Sequence, residues 1–106
     1  MTDPAAPLSI STTDSGIAVA GEIDAHTAPA LAAAIGAAAD VEPFVIDLFD
    51  VEFIDSSGLR VLLEARQTRD GEGRTLTIAR PSKAVARLFG VAGVAEYLGL
   101  AEASDT

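Results

Sequence analysis

The segment from Phe44 to Leu63 constrains the fold more than any other part of this chain. Phe44, Val45, Ile46 and Leu48 predict a buried strand. From Leu59 onward, Leu59, Leu62 and Leu63 fall at helical spacing, with Arg60, Glu64 and Gln67 on the other side. Between the two lies a short stretch carrying Asp47, Asp50, Glu52 and Asp55, which predicts an acidic loop approaching the helix. A strand feeding straight into an amphipathic helix is the building block of an α/β sheet protein. Asp55-Ser56-Ser57-Gly58-Leu59 opens that helix, so two hydroxyls stand at a strand-to-helix junction where backbone N–H groups lack partners. Serine and aspartate in this position ordinarily cap the helix. An accessible hydroxyl there is also open to phosphorylation.

The flanking sequence extends this unit. Leu8-Ser9-Ile10-Ser11 and Ile17-Ala18-Val19-Ala20 alternate around Asp14-Ser15-Gly16 and predict an antiparallel hairpin, with Gly21 to Asp24 as its exit. Thr27 is placed to cap an Ala-rich helix over 28–39, with Pro29 in its first turn and Leu31 and Ile35 as its bulky anchors. The second helix stops at Asp70-Gly71-Glu72-Gly73, and residues 74–79 form a strand around Leu76 and Ile78. Pro81 and Ser82 open a third helix with Val85, Leu88 and Phe89 on one face, ended by Gly90; residues 94–100 predict a short last helix. The order is β-β-α-β-α-β-α-α. Right-handed crossovers through the helices give a small mixed sheet, an N-terminal hairpin plus parallel strands, with helices packed on it.

One domain is expected across residues 1–106, with 1–7 and 102–106 frayed. No cysteine occurs, which excludes disulfides, thiol nucleophiles and thiolate metal sites. The N-terminal residues lack the basic and apolar regions of a signal peptide, and no apolar run approaches the ~20 residues of a membrane span. A cytoplasmic protein with no membrane partner is the expectation. The net charge is −9, and all seven basic residues lie between Arg60 and Arg87. Those bases alternate with apolar positions on predicted helices and read as solvated faces, so a nucleic-acid partner is rejected.

No catalytic constellation emerges. A hydrolase using Ser56 as nucleophile needs a base, yet the only histidine is His26, just ahead of a helix cap, and no Gly-x-Ser-x-Gly elbow occurs. Asp47, Asp50, Glu52 and Asp55 lack the glycine and terminal glutamate of a calcium loop. No glycine-rich phosphate loop with its lysine is present. The expectation is a binding module, not an enzyme, with no metal and no cofactor of its own.

Three stretches carry a resemblance. Val45-Ile46-Asp47-Leu48 followed by Val51-Glu52-Phe53-Ile54-Asp55-Ser56-Ser57-Gly58-Leu59 resembles the signature of the STAS domain, and within that family the stand-alone anti-sigma factor antagonists of bacteria. Gly21-Glu22-Ile23-Asp24 with Thr27 is similar to the family's second motif, and residues 81–93 to its third helix and exit loop. The resemblance implies a protein that binds an anti-sigma factor with serine kinase activity when unphosphorylated, thereby regulating sigma-factor-dependent transcription. It implies that phosphorylation at Ser56 switches this off and that a metal-dependent serine phosphatase restores it. It also implies that Ser57 caps the helix and that Asp24 lies beside the phosphorylation loop. The partner surface it implies comprises Asp24, Thr27, Asp55, Ser57, Gly58, Leu59 and Arg60, where Arg60 departs from the small residue common at that point. The rival within the family is a STAS subunit of a lipid-transporting ATPase complex.

Overall fold

In the computed structural model, which describes residues 8–98, the two alternating N-terminal segments pair as β1 (Leu8–Thr12) and β2 (Gly16–Ile23). Leu8 lies opposite Gly21 and Thr12 opposite Ile17 in an antiparallel ladder. Thr13 fastens the turn, its hydroxyl oxygen accepting the Gly16 N–H at 3.0 Å. Next come α1 (Ala28–Ala37), β3 (Phe44–Ile54), α2 (Ser56–Gly71), β4 (Leu76–Ala79) and α3 (Lys83–Ala92). The sheet order is β1-β2-β3-β4, with β2–β3 and β3–β4 parallel. The mixed sheet expected from the strand–helix alternation is therefore present.

Ile17, Val19 and Ile23 of β2, Phe44, Ile46 and Leu48 of β3, and Leu76 and Ile78 of β4 are buried, packed with Leu31 of α1, Leu62 of α2 and Phe89 of α3. Each such side chain taken out of water contributes about 1.5–3 kcal/mol. The helices are positioned by their ends as much as by their faces. Ser82 caps α3, its hydroxyl oxygen accepting the Val85 N–H at 3.2 Å, while its own N–H donates to Leu48 O on β3.

Several boundaries differ from expectation. The acidic stretch after Leu48 is strand, not loop: β3 runs on to Ile54. The β2–β3 register shifts twice, between Ala18 and Ala20 and between Gly21 and Glu22, and β3 gains one residue at each. Two bulges put Leu48, Val51 and Ile54 on the core side at three-residue spacing, so the alternation that marks a strand disappears. Phe49 and Phe53 face solvent instead. β2 extends to Ile23, and β4 begins at Leu76 instead of Arg74. Gly90 lies inside α3, which ends at Gly93 in the left-handed region with φ 74°. Of the last helix expected over 94–100, residues 95–98 form a single turn; 99 and 100 lie outside the described residues, as do the termini expected to fray.

The basic residues are not all solvated. Arg69 of α2 is 5% exposed. Its Nε donates to Thr75 O at 2.8 Å, its Nη2 donates to Val41 O, and its guanidinium lies 4.7 Å from the centre of the Phe44 ring. Glu42 completes the cluster, its carboxylate accepting the Thr75 N–H at 3.0 Å. That backbone bond foremost holds the Glu42 carboxyl below its ordinary range, with the Arg69 and Arg74 charges adding to it.

Candidate functional site

The site lies where β2 and β3 end side by side. Ile23 pairs with Ile54, and the Asp55 N–H donates to Ile23 O at 3.1 Å. This bond fixes where the chain leaves the sheet and turns into α2. Asp55, in extended conformation, is the cap of α2, its Oδ1 accepting the Ser57 N–H at 2.8 Å. The capping role expected of Ser57 thus belongs to Asp55. Aspartate and serine are both favoured at this position, and a carboxylate in addition meets the positive end of the helix dipole.

With the cap supplied by Asp55, Ser56 becomes the first helical residue. It is exposed, and its hydroxyl makes no hydrogen bond among the described residues. Ser57 is half-buried beside it. Gly58 is buried, and a Cβ there would sit 2.5 Å from Ile23 Cγ2 and 2.9 Å from Ile54 Cγ1. Only a glycine lets the first turn of α2 lie this close to the sheet. Leu59, buried as well, joins the core one position on. Gly58 and Leu59 therefore seat the helix and offer a partner little surface.

Asp24 and Thr27 build the neighbouring turn. Asp24 Oδ1 accepts the N–H groups of His26 at 2.9 Å and Thr27 at 3.0 Å. These bonds, the Thr27 amide foremost, hold the Asp24 carboxyl below its ordinary range. Thr27 is 6% exposed; its hydroxyl donates to Glu22 O at 2.9 Å and accepts the Asp24 N–H at 2.9 Å. Thr27 precedes α1, as the sequence indicates, but its side chain caps nothing in that helix. It ties the turn back onto β2. Asp24 accordingly organises the turn that leads into α1.

Between this turn and α2 opens a recess of about 500 Å³. Ser56, Ser57 and Arg60 line it from α2, and Ala25, Ala28 and Pro29 from the opposite side. Ser56 and Arg60 are four residues apart and so share a helix face. Arg60 is exposed and has no ion pair among the described residues, whereas Arg66, Arg69, Arg74 and Arg80 are all paired. The sequence reading missed Ala25, Ala28 and Pro29. Small residues at a helix start carry no chemical signal, and their part in the site follows from the packing of α1 beside α2. Among the described residues no group of three or more potential ligands is placed to hold a metal ion. No helix there is long and apolar enough to cross a membrane.

Residues 8–101 match the family described as "Mlab, STAS domain", and the chain belongs to the STAS domain family. Within it, the chain is 36% identical over 84 residues to the anti-sigma-B factor antagonist of Listeria monocytogenes, covering 77% of this chain and 74% of that protein. The crystal structure of an anti-sigma factor antagonist from Mycobacterium paratuberculosis superposes with a TM-score of 0.75 at 33% identity, covering 94% of this chain and 89% of that one. The anti-sigma factor antagonist SpoIIAA in its unphosphorylated form shares the fold, with a TM-score of 0.69 at 20% identity over 91% of this chain and 89% of its own.

Proposed function

We propose that this chain is an anti-sigma factor antagonist whose partner surface is centred on Ser56 and whose affinity for that partner is set by phosphorylation of Ser56. The kinship with the antagonists of Listeria and Mycobacterium supports the first half. The second half is carried by one observation: the Ser56 hydroxyl is exposed and has no hydrogen bond among the described residues on the first turn of α2, with the capping work taken over by Asp55.

The chemistry is a transfer to this protein, not by it. Ser56 Oγ attacks the γ-phosphorus of an ATP held by the anti-sigma factor kinase. An Oγ–P bond forms as the bond to ADP breaks, and the hydroxyl proton passes to a base of the kinase. A metal-dependent serine phosphatase returns the hydroxyl. The antagonist is ligand and substrate, requires no cofactor and works in the cytoplasm. Phosphate adds about −1.5 to −2 charges beside Asp55, and a helix N-terminus tolerates them, so the fold persists. A partner packed over the unmodified hydroxyl then meets bulk and an unpaired charge, at several kcal/mol. The surface available to that partner is Ser56, Ser57, Arg60 and the exposed rim of the Asp24 turn; Thr27, Gly58 and Leu59 support it from beneath.

The test is phosphosite mapping after incubation with the cognate kinase and ATP, with capture of partners by the unmodified protein. Phosphate on Ser56 and recovery of the kinase are expected. Phosphate confined to Ser57 removes the site assignment, and recovery of a transporter ATPase in place of the kinase favours the lipid-transport subunit.

A further inference from the structure

We infer that Arg60 is the internal receptor for phosphate on Ser56, a salt link formed only in the modified protein; the inference rests on the phosphorylation proposed above. The positive ends available to a phosphate on the first turn of α2 are few. Of the amides that open the helix, the Ser57 N–H is already bonded to Asp55 Oδ1, which leaves those of Ser56 and Gly58 without an acceptor among the described residues. Asp55 therefore takes one of the few donors a helix N-terminus offers an anion, and it adds a carboxylate beside the phosphate. A cationic side chain on the same face supplies a countercharge that the backbone does not.

Arg60 is placed to supply it. It stands one turn beyond Ser56 on the same face, lines the same recess and has no competing acid bound to it among the described residues. The spacing already forms an ion pair elsewhere on this helix, where Arg66 Nε donates to Asp70 Oδ1 at 2.9 Å across four residues. An anion four residues N-terminal to a cation, as in Ser56 and Arg60, is the better of the two orientations. A guanidinium also presents paired N–H donors that match two phosphate oxygens at once. Phosphorylation then does two things: it adds an anion to the docking surface and occupies an arginine on that surface that has no ion pair among the described residues of the unmodified protein.

The measurement uses full-length protein with phosphoserine introduced at position 56 during synthesis, so it does not depend on any kinase. The second ionisation of the phosphate is followed by phosphorus NMR in the otherwise wild-type protein, in Arg60→Lys and in Arg60→Gln. Asp24, His26, Asp55 and Glu64, the titratable neighbours on the turn and on α2, are common to all three. The midpoint is expected about 0.3–0.7 unit lower with Arg60 than in Arg60→Gln, with Arg60→Lys between, and the difference shrinks in 1 M salt. Coincident midpoints for wild type and Arg60→Gln overturn the inference. Failure of the kinase to modify Ser56 is a separate result: it removes the switch and leaves this titration as it stands.

Discussion

The two ends of helix α2 put the same residue type to opposite uses. At its C-terminal end Arg69 is enclosed, bonded to Thr75 O and Val41 O, stacked on Phe44 and faced by Glu42. At its N-terminal end Arg60 is exposed and lines the same recess as Ser56, whose hydroxyl has no hydrogen bond among the described residues. One end is fastened to the start of β3 and the approach to β4; the other rests on Asp55 and Gly58 and leaves its outer face open. A helix built this way holds its first turn steady while exposing it, which suits the docking and modification proposed for Ser56.

The largest effect separating the two ends comes from the arginines themselves. Arg69→Ala removes a buried side chain and its two charge-assisted hydrogen bonds to the carbonyls of Thr75 and Val41, and is expected to cost about 2–4 kcal/mol. Arg60→Ala is expected to stay within about 0.5 kcal/mol. Urea denaturation of both variants reads the difference, and equal losses would erase the contrast.

Next in size is Gly58→Ala, which forces a methyl group against Ile23 and Ile54. The expected cost is about 1–3 kcal/mol, read by the same denaturation. A neutral result would mean that the first turn of α2 shifts freely on the sheet.

Ser56→Ala sharpens the comparison from the other side. A serine acting as cap loses about 0.5–2 kcal/mol on truncation. Here Asp55 is the cap, so a change within about 0.5 kcal/mol is expected. A loss at the upper end of the capping range would return Ser56 to a structural role.

The smallest effect is acid sensitivity at the fastened end. Glu42 is held below its ordinary value of 4.5 in the folded protein, so it binds a proton less readily there than when unfolded. Its contribution is present above that value and is lost as pH falls through the lower folded one. Glu42→Gln is therefore expected to flatten the decline of stability below about pH 4.5, read from thermal midpoints across the acid range. An unchanged slope would show that Glu42 adds nothing to the fastening.

Much of this was legible in the sequence because it is local. Leu59, Leu62 and Leu63 announce α2 by their spacing, the Asp14-Ser15-Gly16 turn announces the hairpin, and Ser82 announces the start of α3. What was not legible depends on partners distant in the chain. The bulges of β3 exist only relative to β2: Phe49-Asp50-Val51-Glu52-Phe53 alternates apolar and polar along the chain, yet of its three apolar residues only Val51 is buried. Arg69 is buried by Val41, Glu42 and Thr75, the first two nearly thirty residues upstream, and nothing in its immediate neighbours distinguishes it from Arg60. The site divides along the same line. The Asp-Ser-Ser-Gly-Leu stretch marks the candidate site in the sequence, while the capping of α2 by Asp55 instead of Ser57, and the burial of Thr27, required the geometry of the adjoining strand ends.

The central claim is that the hydroxyl of Ser56 is where partner affinity is decided, and the most direct measurement is affinity for the anti-sigma factor across four states of that residue. Wild type and Ser56→Ala are expected to bind alike, since truncation adds neither charge nor bulk. Ser56→Asp carries about one charge where phosphate carries up to about two, so it should bind more weakly. Phosphorylated Ser56 should be weakest, at least about 100-fold below wild type, which corresponds to about 3 kcal/mol. Equal affinity in all four states would contradict the switch outright, with the STAS fold left intact.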